Sequence, residues 1–215
     1  ANPSPDETTE AYLRAIDTIA AYRAQFAAPL DKVNVGLRGF CATQRITDAV
    51  VTQRLKRAET IREKLAEREK NMSLASMHDI GGCRVVLPDD NLDDLRRLER
   101  HINRVWEVTR SYDYVDQPRV SGYRAVHLVV MRDGYRIEIQ LRTARMHLWA
   151  QTVESFSGHY SVNYKQDGDT DVQNLMASLS RIDQAQEAGL QPRIDDLEKV
   201  RTLAQRVRDS LRSER

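Results

Sequence analysis

The chain has 215 residues, of which 40% are hydrophobic and 30% are charged, and its formal net charge at pH 7 is +1. This composition is typical of a globular protein with a full apolar core, and it excludes a disordered chain. The small net charge gives no sign of a general attraction to nucleic acid, so any affinity for nucleotides must come from local clusters of Arg and Lys. We expect a single domain over residues 1–215.

The two cysteines, Cys41 and Cys83, do not have the spacing of a zinc site. The apolar residues around Cys83 favour a buried, reduced thiol. No apolar run is long enough to span a membrane, and the first ten residues contain neither a basic nor an apolar segment. These features predict a cytoplasmic protein without a membrane anchor.

The first predicted element is an amphipathic helix over residues 5–27, which Ser4 caps and which serves packing. Residues 29–43 have a weaker pattern, and Gly36 and Gly39 favour a loop there.

Residues 49–56 are rich in β-branched side chains and predict a strand that points Arg54 and Lys56 to one side. A charged helix follows over residues 58–70 and contains Lys64. Basic residues in such a place most often form a solvated face, and binding of an anion is the alternative.

Asp79 stands just before a strand that Pro88 ends, and a helix over 91–103 and a strand over 104–110 follow. A carboxylate in this place is commonly a turn or cap residue. Together with Glu138 on a neighbouring strand, however, it offers the one or two carboxylates that Mg²⁺ usually takes from a protein.

Two apolar-rich runs, 124–132 and 135–142, meet at Asp133-Gly134, a dipeptide that favours a tight hairpin turn. In the second run, apolar residues alternate with polar ones, as in a half-exposed antiparallel sheet. The polar residues are Arg136, Glu138, Gln140 and Arg142.

Tyr123 and His127 lie on the same side of the first strand of this hairpin, because side chains alternate with a period of two. The hairpin therefore combines an aromatic ring, an imidazole, a carboxylate, an amide and several arginines. Such a set suits the base, sugar and phosphates of a nucleotide.

A helix beginning at Thr143 follows the hairpin, and the loop 165–170 separates it from two further helices, 171–189 and 192–213. Both signs of charge alternate along the last helix, which indicates a solvated or oligomer-forming helix rather than a nucleic-acid tail.

Several motifs occur in the order found in one family. The segments Asp79–Arg84, Ser121–His127 and Glu138–Thr143 resemble successive signatures of the RelA/SpoT-type alarmone synthetases, and Val51–Lys56 resembles their upstream element. The resemblance covers residues 45–165, which we take as the catalytic core, with terminal helices at 5–27 and 171–213 for packing or oligomerisation.

The resemblance implies an α+β fold, a mixed, largely antiparallel sheet of about five strands flanked by helices in a nucleotidyltransferase-like core. It implies a stand-alone small synthetase that transfers the pyrophosphate of ATP to the 3′-hydroxyl of GDP or GTP, with Mg²⁺ as cofactor and AMP as by-product. It also implies a homo-oligomer, commonly a tetramer.

The resemblance assigns roles to residues of both substrate sites. Asp79 and Glu138 are the catalytic pair and the metal ligands, with Glu138 orienting or deprotonating the acceptor hydroxyl. The ATP-binding residues are Arg54, Lys56, Lys64 and Arg84. The acceptor-binding residues are Arg119, Tyr123, Arg124, His127, Gln140, Arg142 and His147.

Two alternatives remain open. Some members of this family are toxins that pyrophosphorylate adenosine nucleotides or the 3′ end of tRNA, and the residues at His147 and Ser155 leave the acceptor undecided. The chain could also be an inactive nucleotide-binding regulator, but Asp79 and Glu138 argue against this because nucleotide binding alone requires neither of them.

Overall fold

The structure is a computed structural model that describes residues 5–68, 71–160 and 170–213. The predicted cap at Ser4 and most of the predicted loop, residues 165–169, lie outside these residues. Among the residues described, no helix combines the length and apolar character that crossing a membrane requires.

Apart from helix α2, which was not predicted, the elements follow the predicted alternation of helices and strands. The helices are α1 Pro5–Ala24, α2 Ala27–Thr43, α3 Ala58–Glu63, α4 Leu92–Val105, α5 Ala144–Tyr160, α6 Asp171–Glu187 and α7 Ile194–Ser213. The strands are β1 Val50–Leu55, β2 Gly81–Val86, β3 Val108–Asp113, β4 Val126–Arg132 and β5 Tyr135–Arg142. A π-helical turn, Lys64–Arg68, continues α3, and a 3₁₀ turn spans Leu74–Ser76.

The five strands form one sheet in the order β1-β2-β5-β4-β3. β4 and β5 are joined through Asp133 and Gly134, whose φ angles of 51° and 82° are those of the predicted two-residue hairpin turn. This part of the prediction is confirmed.

Backbone hydrogen bonds give the strand directions. The N–H of Met131 donates to Glu107 and that of Tyr114 to Ala125, so β3 and β4 run antiparallel. The N–H of Leu87 donates to the carbonyl of Arg142. Gly82 lies beside Glu138 further back along the same two strands, which makes β2 and β5 parallel. The sheet is therefore mixed, and the predicted fold class is confirmed.

The described residues form two compact units. The first unit lies within Ala1–Val85, Arg100–Ser111 and Leu128–Gln140, and the second lies within Val86–Glu99, Tyr112–His127 and Leu141–Arg215. The division of the chain into a catalytic core and terminal packing helices stays a prediction.

In the first unit, residues 27–43 form helix α2, so the predicted loop is wrong. Leu30, Val33 and Leu37 recur at helical spacing and are buried on one face. Gly36 is required by packing, because a Cβ atom there would lie 2.5 Å from the ring of Trp106. The glycine that suggested a loop thus marks a close contact within a helix.

The first unit also contains both cysteines as buried free thiols, as predicted for Cys83. Cys83 alternates along β2 with residues that face away from the core.

In the second unit, helices α5, α6 and α7 pack around one apolar cluster, which includes Trp149, Met176 and Val207. The indole N–H of Trp149 donates to the carbonyl of Met176 over 2.8 Å. Thr170 caps α6 through a reciprocal pair of hydrogen bonds with Gln173. Helix α6 is thereby fixed at its start and along its length.

Candidate active site

In the first unit, three neighbouring strands, β1, β2 and β5, contribute polar residues to one cavity of about 370 Å³, here called the polar cleft. Its lining consists of Thr52, Gln53, Arg54, Lys56, Asp79, Gly82, Cys83, Arg84, Glu138 and Gln140.

The cleft follows from the alternation of side chains along each strand. On β5, Ile137 and Ile139 are fully buried in the core, and Glu138 and Gln140 between and beyond them line the cleft. Arg84 takes the corresponding place on β2. The polar face of β5 is therefore part of a concave site. The sequence alone did not decide between such a site and a flat, solvated face.

Asp79 is paired with two lysines. Lys56 Nζ donates to its Oδ2 atom over 2.6 Å, and Lys64 Nζ lies 3.3 Å from the same atom. Burial raises the pKa of the Asp79 carboxyl, but the hydrogen bond and charge of Lys56 and the charge of Lys64 outweigh burial and lower the pKa below its usual value. Asp79 is therefore ionised at neutral pH.

Glu138 is oriented by its neighbour on the same face of β5. Gln140 Nε2 donates to Glu138 Oε2 over 3.0 Å. The sequence placed Gln140 among the acceptor-binding residues, whereas the structure places it in the polar cleft beside the predicted catalytic carboxylate.

Arg54 and Arg84, the two arginines predicted to bind ATP, also line the polar cleft. Arg54 is exposed and Arg84 is half-buried. The structure thus brings all four predicted ATP-binding residues and both predicted catalytic carboxylates into the first unit, and their roles stay predictions.

In the second unit, Tyr123 lies at the centre of a group of rings, here called the tyrosine cluster, which consists of Tyr114, Tyr123, His127 and Trp149. The Tyr123 side chain is only 8% exposed. Its hydroxyl lies 2.6 Å from His127 Nε2 and accepts a hydrogen bond of 2.8 Å from Arg142 Nη2.

Tyr114 forms the outer part of the tyrosine cluster, and sequence reasoning did not assign it a role. Arg119 Nη2 donates to its hydroxyl over 2.8 Å, and the guanidinium lies 4.6 Å from the ring centroid. Tyr112 lies parallel to Tyr114 with 6.2 Å between the ring centroids. The signal in the sequence was the two-residue spacing of these tyrosines at the end of a strand.

Two of the predicted acceptor-binding residues, Arg124 and His147, have contacts within the second unit. Arg124 pairs with Glu187 over 2.6 Å, and both side chains are 5% exposed, so the pair belongs to the interior of the second unit. His147 is half-buried in the first turn of α5, and its backbone N–H donates to Thr143. Contact of either residue with an acceptor stays a prediction.

The polar cleft offers few protein oxygen donors for the implied magnesium ion. Among the residues described, no group of three or more His, Cys, Asp or Glu side chains converges on one point. Mg²⁺ commonly takes only one or two carboxylates and completes its shell with phosphate oxygens and water. The ionised Asp79 and Glu138 both line the polar cleft, and these two carboxylates fit this requirement.

A sequence model of the family described as "Region found in RelA / SpoT proteins" matches residues 53–169, more than half of the chain. The chain belongs to the RelA/SpoT family. The matched residues include both carboxylates of the polar cleft and the whole tyrosine cluster. The predicted family is confirmed.

Relatives within the RelA/SpoT family carry names of nucleotide pyrophosphokinases. A probable chloroplastic GTP diphosphokinase of Oryza sativa is 30% identical over 168 residues, which are 77% of this chain and 21% of that protein. The GTP pyrophosphokinase YjbM of Bacillus subtilis is 30% identical over 147 residues, 62% of this chain and 68% of that protein. The chain thus spans about a fifth of the rice protein.

A solved structure supports the same fold. The small alarmone synthetase 1 of Bacillus subtilis, crystallised with its product pppGpp, matches with a TM-score of 0.64 and 25% identity, covering 77% of this chain and 93% of that one.

Proposed function

We propose that this chain is a (p)ppGpp synthetase that transfers the pyrophosphate of ATP to the 3′-hydroxyl of GDP or GTP and releases AMP. The observation that carries the proposal is the ionised Asp79 held by Lys56 and Lys64 within the polar cleft. Transfer of a phosphoryl group asks a protein mainly for positioning and for neutralisation of charge, and this cluster supplies both.

In this proposal ATP occupies the polar cleft. Lys56 and Lys64 donate to its phosphate oxygens, and the planar guanidinium groups of Arg54 and Arg84 stack on the adenine ring. The cavity of about 370 Å³ falls within the range common for small-molecule sites.

Asp79 and Glu138 would hold Mg²⁺ through carboxylate oxygens. The bound ion neutralises the charge that develops on the transferred phosphates. Glu138, oriented by Gln140, accepts the proton of the attacking hydroxyl or directs that hydroxyl at the phosphate.

The acceptor nucleotide is proposed to bind at the tyrosine cluster. Tyr123 stacks on the base, and the cationic or polar groups around it contact phosphates and sugar. These groups are Arg119, Arg124, His127, Arg142 and His147.

The names of the relatives support a guanine nucleotide as acceptor. The rice and Bacillus proteins are called GTP diphosphokinase and GTP pyrophosphokinase, and the matched Bacillus crystal contains pppGpp. The proposal also includes a cytoplasmic location and a homo-oligomer held by the terminal helices, with a tetramer as one form that the resemblance allows.

The test is incubation of the purified chain with Mg²⁺ and ATP labelled on its γ-phosphate, together with GDP, GTP, ADP, ATP or tRNA in separate reactions. Chromatography should detect a labelled guanosine product and unlabelled AMP. Label on an adenosine nucleotide or on tRNA would instead favour the toxin alternative. Binding of ATP without any transfer would favour a regulator.

A further inference from the structure

Helix α6 packs directly against the loop that carries Tyr123. Gly122 has a φ of +89°, and a Cβ atom there would lie 2.8 Å from Ala177 Cα and 3.2 Å from the carbonyl oxygen of Met176. Only glycine allows both this backbone conformation and this approach. The loop is therefore pressed against the helix backbone at the residue just before Tyr123.

On the other side of Tyr123, the side chain of Arg124 forms an ion pair with Glu187. The distance between Arg124 Nη2 and Glu187 Oε2 is 2.6 Å, and each side chain is 5% exposed. A buried charge is costly unless it is paired, so each of the two residues depends on the other.

The position of Glu187 is unfavourable for the helix itself. Glu187 is the last residue of α6, where the helix dipole disfavours a negative charge. A carboxylate that is both buried and placed at this end contributes little to the helix. Its evident interaction is with Arg124.

Tyr123 is thus fixed on both sides by α6, at Gly122 through close packing and at Arg124 through the ion pair. Its own carbonyl accepts from the N–H of Arg119 over 3.2 Å. The loop lies inside residues 53–169, which the family model matches, whereas α6 at 171–187 lies outside them. Helix α6, which lies outside the family match, therefore holds in place a loop that lies inside the match.

We propose that Glu187 is a positioning residue for the acceptor nucleotide, which acts through Arg124 to hold Tyr123 in the orientation that receives the acceptor base. This inference rests on the proposed function, because it assumes that the tyrosine cluster binds the acceptor. Glu187 itself touches no substrate.

The kinetic test uses Glu187→Gln, which removes the charge and keeps the shape. We expect the acceptor KM to rise about tenfold, an effect of the size found when one of two contacting residues is changed. The ATP KM should stay unchanged. The matched control is Asp196→Asn, which removes the exposed ion pair between α6 and α7 at Arg181 and should leave both KM values unchanged.

A double-mutant cycle tests the route through Arg124. If Glu187 acts only on Arg124, then Arg124→Gln combined with Glu187→Gln raises the acceptor KM no further than Arg124→Gln alone. Additive effects of the two changes would overturn this route.

Hydrogen exchange supplies a test that does not depend on catalysis. Amides of residues 119–127 should exchange faster in Glu187→Gln than in the wild type and in Asp196→Asn, and equilibrium dialysis should detect weaker binding of GDP. If the wild type binds GDP but transfers nothing, the proposed function fails while these two measurements still decide the role of Glu187.

Unchanged exchange at 119–127 together with unchanged GDP binding would overturn the inference. So would a lower melting temperature with equal changes in the KM values of ATP and acceptor, since that pattern indicates packing alone. If Glu187→Gln does not fold, Glu187→Asp retains the charge with a shorter reach, and the same comparison applies to it.

Discussion

The hydroxyl oxygen of Tyr123 lies 2.6 Å from Nε2 of His127, so two residues four positions apart along the chain meet through their polar atoms. Arg142 donates to the same hydroxyl over 2.8 Å. The ring of Tyr123 therefore belongs to the interior of the second unit as well as to the proposed acceptor site.

This arrangement predicts different outcomes for two substitutions of Tyr123. Tyr123→Phe keeps the ring but removes an acceptor from the buried Arg142, which should cost about 1–3 kcal/mol of stability. Tyr123→Ala also leaves a cavity and should cost about 3–5 kcal/mol. If the ring stacks on a base, alanine further removes about 1–3 kcal/mol of acceptor binding.

Melting temperatures and the KM values of ATP and acceptor check this prediction. Unchanged melting of Tyr123→Ala would contradict the packing role. A large loss of melting temperature without any effect specific to the acceptor would contradict the stacking role.

The two carboxylates of the polar cleft should be indispensable for turnover. Asp79→Asn and Glu138→Gln are nearly isosteric, so each should preserve the fold while lowering kcat by about 10²-fold or more. Asp209→Asn, the same kind of change at an exposed residue of α7, is the control and should retain full activity. Substantial turnover by either folded cleft variant would remove that residue from its assigned role.

Two aspartates of the second unit should respond to pH in opposite directions. Burial raises the pKa of Asp113, but hydrogen bonds from Arg96 and from backbone N–H groups outweigh it and lower the pKa. Burial raises the pKa of Asp183, and the charge of Arg145 does not compensate. Ionised Asp113 therefore stabilises the fold, and ionisation of Asp183 costs stability.

The stabilisation by Asp113 is present above the usual carboxyl pKa and is lost as the pH falls through the lowered one. For Asp183, stability is lost as the pH rises through the raised pKa. As the pH rises from about 2 to about 4, Asp113→Asn should therefore become more destabilising relative to wild type, whereas Asp183→Asn should become less destabilising as the pH rises from about 4 to about 7. Thermal unfolding at these three pH values measures the two slopes, and slopes of equal sign would refute the assignment.

Gly122 and Gly134 make a matched pair for the close packing of α6. Both have positive φ, but a Cβ atom at Gly134 would meet nothing within 4 Å, whereas at Gly122 it would overlap α6. Gly134→Ala should cost about 1–2 kcal/mol from backbone strain alone. Gly122→Ala should cost clearly more, as judged by chemical denaturation, and equal losses would argue against the close contact.

The proposed oligomer predicts a mass well above that of one chain. Leu13 on α1 and Ile194 on α7 are 54% and 73% exposed, which leaves apolar surface on the terminal helices. Light scattering at micromolar concentration should detect a multiple of 24.7 kDa. Ile194→Glu should lower that mass if α7 contributes to the interface, and a wild-type mass of one chain would refute the oligomer.

Local signals made much of the fold predictable. The hairpin at Asp133-Gly134 follows from turn chemistry, and the polar face of β5 follows from strict alternation, because both depend on neighbours within a few residues. Helix α2 was not predicted, because Gly36 serves a contact with Trp106 that is 70 residues away in the chain.

The site was predictable to a similar degree. The motifs identified Asp79 and Glu138 as residues of interest, but the pairing of Arg124 with Glu187 joins positions 63 residues apart and has no local signal. Gln140 lies beside Glu138 because side chains two residues apart share a face of a strand, but packing of the sheet decides that this face of β5 lines a cavity.

The burial of the two thiols makes their alkylation a measure of local opening in the first unit. Cys41 and Cys83 are 4% and 2% exposed, and burial raises the pKa of Cys83 to about 12. Thiolates are the reactive form, and a raised pKa keeps a buried thiol protonated. Both thiols should therefore react slowly with alkylating reagents until the surrounding structure opens. Both cysteines of the chain belong to the first unit. The rate of alkylation in native buffer therefore measures how often the structure around these two cysteines opens.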